Sequence, residues 1–249
     1  MNMIDAPSPN FNPRAGDKNG GAEGKKIKYL ILHYTGTETA FEALRLLQGG
    51  DPSHQVSAHY MVDEDGSVMR IVDEDMRAWH AGKSYWEGEE DINSRSIGIE
   101  IQNGGHDFGL PDFPDAQIEA VIDLCRAVMA RHNILPCHVL AHSDVAPERK
   151  RDPGEKFPWK RLAEAGIGIW PESGTGEDAD IDRILTQFGY DPRADLKSRI
   201  TAFQRHFMPE VFTLPEKVGV ADPDTVQKLQ SLVKKKLGQR PKAPDCRPK

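Results

Sequence analysis

The chain has 249 residues, room for one large domain or for an ordinary domain and a small one. Its 38% hydrophobic and 29% charged residues are the composition of a folded globular protein and exclude a mainly disordered chain. Lys and Arg number 32 against 39 Asp and Glu, a net charge of −7, which argues against nonspecific nucleic-acid binding as the main role.

No apolar run approaches the ~18–20 residues of a membrane span. The polar N-terminus shows no basic region followed by an apolar one, so no secretory signal is visible. The cysteines are Cys125, Cys137 and Cys246, a sparse set that fits a reducing compartment. These features predict a cytoplasmic protein, with the periplasm as the alternative.

Residues 1–26 read as a polar arm. Ile27 to Leu32 is rich in β-formers and reads as a buried strand that runs into His33. Apolar residues from Thr39 to Leu47 recur at helical spacing, and Gly49-Gly50 stops them. Ala58 to Val62, the turn Asp65-Gly66 and Val68 to Val72 read as a hairpin. In Ser96 to Ile101, Ile97, Ile99 and Ile101 alternate with Ser96, Gly98 and Glu100, a strand pattern. Asp115 to His132 carries one apolar stripe and is the clearest helix. Val139 to Ala141 is a short strand ending at His142. The following stretch, Ser143 to Trp159, holds three prolines and eight charged residues and reads as a long exposed loop.

Residues 171–180 look like a linker. Ile181 to Phe188, Ala194 to Phe207 and Pro223 to Leu237 read as three short helices, near the size floor for an independent core. The tail, 238–249, is basic. The expected fold is therefore α/β, a central mixed β-sheet flanked by helices over 27–170, with a small C-terminal three-helix domain over 181–237.

Of the nine histidines, His33 and His142 differ from the rest because each closes an apolar strand, where α/β enzymes place ligands and bases. His138 lies four residues before His142, but on a strand the two would be ~13 Å apart, too far to share an ion. Two His and one carboxylate would leave a fourth zinc position open, the mark of a catalytic site. Asp152 is a candidate third ligand and Asp144 its rival; from spacing alone, a solvated Asp in a Pro-Gly turn is the stronger reading of Asp152.

Five ordered blocks carry a resemblance. They are Ile31 to Thr37, Val56 to Val62 with Asp65-Gly66, Trp79 to Gly82, Asn93 to Asn103, and Ala141 to Pro147 continuing through Arg149 to Gly154. Together they resemble the zinc-dependent N-acetylmuramoyl-L-alanine amidases of the amidase-2 class. The resemblance implies that His33, His142 and Asp152 hold one Zn2+ and that Glu100 and Lys150 flank its open position. Glu100 in an apolar strand suits a general base whose pKa is raised by desolvation, and Lys150 suits oxyanion stabilisation. Tyr34, Trp79, His80 and Asn103 are candidate pocket walls for sugar rings and peptide amides; a core Trp with a satisfied His is the equal alternative.

The helical tail is similar to peptidoglycan-binding-like domains, through Ile184 to Tyr190, Ile200 to Phe207 and Gly219 to Thr225. The pair of domains looks like the subgroup acting on anhydro-muropeptides. The implied reaction is hydrolysis of the amide between N-acetylmuramic acid, including its 1,6-anhydro form, and the L-alanine of the stem peptide. The implied partners are peptidoglycan fragments or the sacculus. A peptidoglycan-recognition module that binds without cutting is the rival class, and a helix-turn-helix DNA-binding tail is a third that the net charge disfavours.

Overall fold

Local patterns account for most elements of the structure, a computed structural model that describes residues 3–15, 26–50, 53, 55–172 and 179–239. Part of the arm (16–25), of the linker (173–178) and of the basic tail (240–249), with His54 and Cys246, lies outside the described residues. In chain order the first half contains β1 (Met3–Asp5), β2 (Phe11–Pro13), β3 (Tyr29–Tyr34), α1 (Ala40–Leu47), β4 (Tyr60–Val62), β5 (Val68–Arg70), β6 (Met76–Ala78), α2 (Ile92–Arg95) and β7 (Ser96–Ile101). The second half contains α3 (Asp115–His132), β8 (Val139–Ala141), α4 (His142–Val145), α5 (Trp159–Glu164), α6 (Ile181–Phe188), α7 (Leu196–Phe207) and α8 (Pro223–Gln239). Side chains set several boundaries. Thr39 Oγ1 accepts the Glu42 amide at 3.3 Å to begin α1, and Asn133 in the left-handed region (φ 54°) ends α3.

Six strands form a mixed sheet in the order β1-β5-β4-β7-β3-β8. β4 and β5 are an antiparallel hairpin, while β4–β7, β7–β3 and β3–β8 are parallel. The parallel register places His33 opposite Glu100, one residue beyond the Leu32–Ala141 pair. His33, Glu100 and His142 therefore stand together where three neighbouring parallel strands end, the edge at which open α/β sheets place ligands.

The period-2 pattern of β3 feeds two cores. Leu30 and Leu32 join Ile97, Ile99 and Ile101 under α3, whose Ile118, Val121, Leu124 and Val128 are buried there. Tyr29 and Ile31 point the other way, into a core with Trp86, Leu140 and Val145. That second core continues into Leu185, Phe188, Tyr190, Phe203, Phe207, Leu229 and Leu232 of the C-terminal helices. Each fully buried Leu, Ile or Phe contributes roughly 1.5–3 kcal/mol of burial free energy. The helical tail thus completes its core against the sheet, which meets the size limit that a sixty-residue helical unit faces alone.

Two expectations change. The segment read as a polar arm ahead of the 27–170 domain contributes strands to it: β1 pairs parallel with β5, β2 pairs antiparallel with β6, and buried Arg14 donates to the carbonyls of Glu74, Asn93 and Ser94. Backbone pairing and one guanidinium supply what hydrophobic patterning did not. The stretch after β8 also begins buried, because α4 carries His142, Ser143, Asp144 and Val145 into the interior. Two of its polar side chains, His142 and Asp144, are hydrogen-bonded there, as set out below.

Candidate metal centre and catalytic cleft

A cleft of about 390 Å³ opens over the C-terminal ends of β3, β7 and β8. His33, Tyr34, Trp79, His80, Glu100, His142, Lys150 and Asp152 line it. On its floor three donor atoms converge. His33 Nδ1 and His142 Nδ1 are 2.9 Å apart, and Asp152 Oδ2 is 3.0 Å from the first and 2.9 Å from the second. Ligands of a tetrahedral ion bonded at 2.0–2.1 Å sit about 3.3 Å apart, so this triangle needs only slight expansion to hold one. All three residues are buried, at 1%, 2% and 5% exposure.

The outer nitrogens decide whether the inner ones can serve as ligands. His142 Nε2 donates to Ala81 O at 3.2 Å, which leaves the Nδ1 lone pair facing the triangle. Ser96 Oγ donates to Ile92 O at 2.6 Å and so accepts from His80 Nε2 at 3.2 Å. His80 Nδ1 must then accept, and it lies 3.1 Å from His33 Nε2. The chain of donors Ser96, His80, His33 turns His33 Nδ1 inward as a second lone pair. Burial lowers the pKa of His33 to about 4, assisted by the charge of His142 and opposed by Asp152, so its imidazole is neutral at pH 7. Its contact with Asp152 is accordingly not an ion pair at neutral pH. Burial raises the pKa of Asp152, but the two histidines outweigh it and hold the carboxyl well below its usual range. Two imidazoles and one carboxylate, all buried, are the donor set of an open zinc site.

Glu100 faces the cleft from β7, and its Oε2 is buried without a hydrogen-bond partner. Burial raises its pKa well above the usual carboxylate range, the charge of Asp152 adds to this, and Lys150 partly opposes it. Lys150 lines the same cleft without an ion pair to any described residue. A high-pKa carboxyl and a free ammonium flank the donor triangle, as an acid–base and an oxyanion group require.

The structure distributes the four candidate wall residues between two roles. Tyr34 and Trp79 line the cleft half-buried; Tyr34 Oη is 3.1 Å from His106 Nδ1, and Trp79 Nε1 donates to Asn12 Oδ1 at 2.6 Å. The N-terminal strand β2 therefore props one wall. His80 touches the cleft but orients His33, and Gly98 makes room for its ring, since a Cβ there would lie 2.4 Å from His80 Cγ. Asn103 is not among the cleft-lining residues. Its amide holds the following loop, donating to Pro111 O at 2.9 Å and accepting from Gly105 N at 2.9 Å.

The rival carboxylate Asp144 is turned away from the triangle. It accepts from Ala141 N, Tyr190 Oη and His206 Nδ1 at 2.8, 2.7 and 2.7 Å. His138 lies apart as well, 3.3 Å from Glu87. Sequence reasoning did not single out Ser96, Tyr190, Arg205 or His206. Hydrophobic patterning does not mark the last two, which the structure places in an unbroken buried run, Ala202 to Phe207.

The Amidase_2 family, N-acetylmuramoyl-L-alanine amidase, matches this chain over residues 23–155. The N-acetylmuramoyl-L-alanine amidase AmiD of Escherichia coli is 35% identical over 240 residues, covering 84% of this chain and 83% of that protein. The 1,6-anhydro-N-acetylmuramyl-L-alanine amidase AmpD of Enterobacter cloacae is 41% identical over 107 residues, about 55% of its length. Among solved structures, E. coli AmiD in complex with anhydro-N-acetylmuramic acid-L-Ala-D-gamma-Glu-L-Lys superposes with a TM-score of 0.74 at 33% identity, covering 93% of this chain and 99% of that one. AmpDh3 of Pseudomonas aeruginosa, solved also with an anhydromuramic pentapeptide, gives 0.76 at 32% identity, covering 89% and 98%.

Proposed function

The chain belongs to the Amidase_2 family of N-acetylmuramoyl-L-alanine amidases, and from that premise we propose that it hydrolyses the amide between N-acetylmuramic acid and the L-alanine of the stem peptide, with 1,6-anhydro-muropeptides among its substrates. The observation that carries this is the buried triangle of His33 Nδ1, His142 Nδ1 and Asp152 Oδ2 beside the partnerless carboxyl of Glu100. His33, His142 and Asp152 would hold one zinc, which when bound acidifies a water and polarises the scissile carbonyl.

The remaining work falls to side chains. Glu100 takes the proton of the attacking water and returns it to the leaving amine of L-alanine, so the C–N bond breaks as a C–O bond forms and the proton count closes. Lys150 stabilises the negative charge that develops on the former carbonyl oxygen. Tyr34 and Trp79 offer aromatic faces to the sugar or the peptide. β7, held between β3 and β4, fixes Glu100 at the cleft floor beside His33, with its Oε2 buried.

Among the described residues no helix is long and apolar enough to cross a membrane. We read the compartment as cytoplasmic on the sparse cysteine set, three in 249 residues, and soluble anhydro-muropeptide as the working substrate. Mass spectrometry of zinc-loaded protein incubated separately with anhydro-muropeptide and with intact sacculi tests both points. Free stem peptide from the soluble substrate alone supports a recycling amidase. Release from sacculi as well, with periplasmic recovery on cell fractionation, overturns the compartment. No release from either, with zinc bound, overturns the amidase reading in favour of a recognition module.

A further inference from the structure

Three of the reactive side chains, His142, Lys150 and Asp152, sit on one segment, residues 142–155. That segment has little regular structure to hold it. α4 is one turn long, and an isolated turn is not stable by itself. Beyond it, the amides of Arg149 and Lys150 bond to Ala146 O, and Ser143 N bonds to Asp152 O at 3.1 Å, closing the segment on itself. These contacts shape the loop but do not aim it at His33.

Residues 81–85 hold one side of it, through His142 Nε2 and Arg149 to Ala81 O, Arg149 to Lys83 O and Tyr85 N to Val145 O; the C-terminal helices hold the other. At the start of the segment, Asp144 (1% exposed) accepts from Tyr190 Oη and from His206 Nδ1, both at 2.7 Å. The imidazole of His206 stacks on Trp159, with ring centres 3.7 Å apart and planes 25° apart, so it has no freedom to swing away. At the end of the segment, Glu155 Oε2 accepts from Arg205 Nε at 3.1 Å. The same oxygen meets His106 Nε2 at 3.0 Å, and His106 reaches Tyr34 in the cleft wall. Consecutive residues of α7 therefore hold carboxylates at both ends of one loop.

We propose that the C-terminal helical unit is a positioning element of the reaction centre: Tyr190, Arg205 and His206 grip Asp144 and Glu155 and thereby set the placement of His142, Lys150 and Asp152. This rests on the zinc amidase reading above, and it gives the unit a role within catalysis distinct from binding the wall. The grip acts through charge-assisted hydrogen bonds in a water-poor interior, where they are strong and directional. Ligand and acid–base groups must be held to within a fraction of an ångström, so a small rotation of α4 is felt at the metal.

The test uses the full chain. Tyr190→Phe/His206→Phe removes two donors and keeps the rings; Arg205→Gln removes the second grip and Arg205→Lys retains its charge. Zinc affinity is read by competition with a chromophoric chelator, kcat and KM on soluble anhydro-muropeptide, and folding by circular dichroism. The expected result is an affinity about tenfold lower in the double variant, with kcat reduced and KM within about twofold, and Arg205→Lys recovering most of the loss seen in Arg205→Gln. Leu229→Ala, which loosens the helical core and removes none of the hydrogen bonds of either grip, leaves zinc affinity near that of the unmodified chain. Folded grip variants with unchanged affinity and kcat overturn the proposal, as does a Leu229→Ala variant that loses as much. Reduced binding to sacculi alone, with zinc and kcat unchanged, assigns the unit to wall binding and also overturns it. An unmodified chain that takes up no zinc overturns the metal reading and this proposal with it.

Discussion

Two groups of reactive side chains meet in the cleft, and they are held by different means. His33 and Glu100 stand on β3 and β7, fixed by a six-residue parallel ladder whose register sets them opposite one another. His142, Lys150 and Asp152 stand on a loop, held in part by side-chain hydrogen bonds such as those of Asp144 to Tyr190 and His206, 46 and 62 positions away. A ladder distributes its hold over many backbone bonds, so one substitution seldom moves it. A loop hung on a few carboxylates concentrates its hold, so single side chains matter. The comparison predicts that the strand half fails at its own side chains and at the ring that orients them, His80, whereas the loop half fails also at supports on the C-terminal helices.

The largest effect breaks the triangle itself. Asp152→Ala is expected to abolish both zinc retention and turnover, read by metal analysis of the purified chain and by product mass spectrometry. Next comes the strand half. Glu100→Gln should lower kcat by about 10²- to 10⁴-fold with zinc stoichiometry unchanged. Loss of zinc in that variant would place Glu100 among the ligands. A smaller effect sharpens the contrast between ladder and support. Gly98→Ala puts a methyl group within 2.4 Å of the His80 ring, and overpacking of this kind costs about 1–3 kcal/mol. Thermal unfolding should show it, and zinc affinity should fall because His80 orients His33.

The smallest effect lies far from the cleft, at Glu74. Burial raises its pKa, but Arg131, His132 and Tyr60 outweigh this and bring it from 4.5 to about 2. A folded-state pKa below the unfolded one stabilises the fold above about pH 4.5, and that contribution is lost as pH falls toward 2. Glu74→Gln should remove this pH dependence and cost on the order of 1 kcal/mol at neutral pH, measured by denaturant unfolding across that range. An unchanged acid limb would show that Glu74 contributes nothing measurable.

Much of the sheet was legible because its physics is local. The alternation in Ser96 to Ile101 and the stripe from Asp115 to His132 match β7 and α3 end for end. The strand-end positions of His33 and His142 were equally visible, whereas Asp152 stood out only by resemblance, since spacing left it a solvated turn residue. The arm misled because β1 and β2 are exposed three-residue edge strands with no buried face to write a pattern. Asn103 misled for another reason: an amide beside a cleft can face the ligand or brace the loop, and only its partners Pro111 and Gly105 distinguish the two.

By itself, then, the sequence determined the α/β sheet and the family and named His33, His142 and Asp152 as candidate ligands, because hydrophobic period and motif order are written residue by residue. Only the tertiary structure decided that one imidazole orients another, that Asp144 turns away from the triangle, and that the C-terminal helices share a core with the sheet and hydrogen-bond to the 142–155 segment. Those are contacts between residues such as Asp144 and Tyr190, 46 positions apart, and a hydrogen bond between distant side chains leaves no periodic trace in the chain.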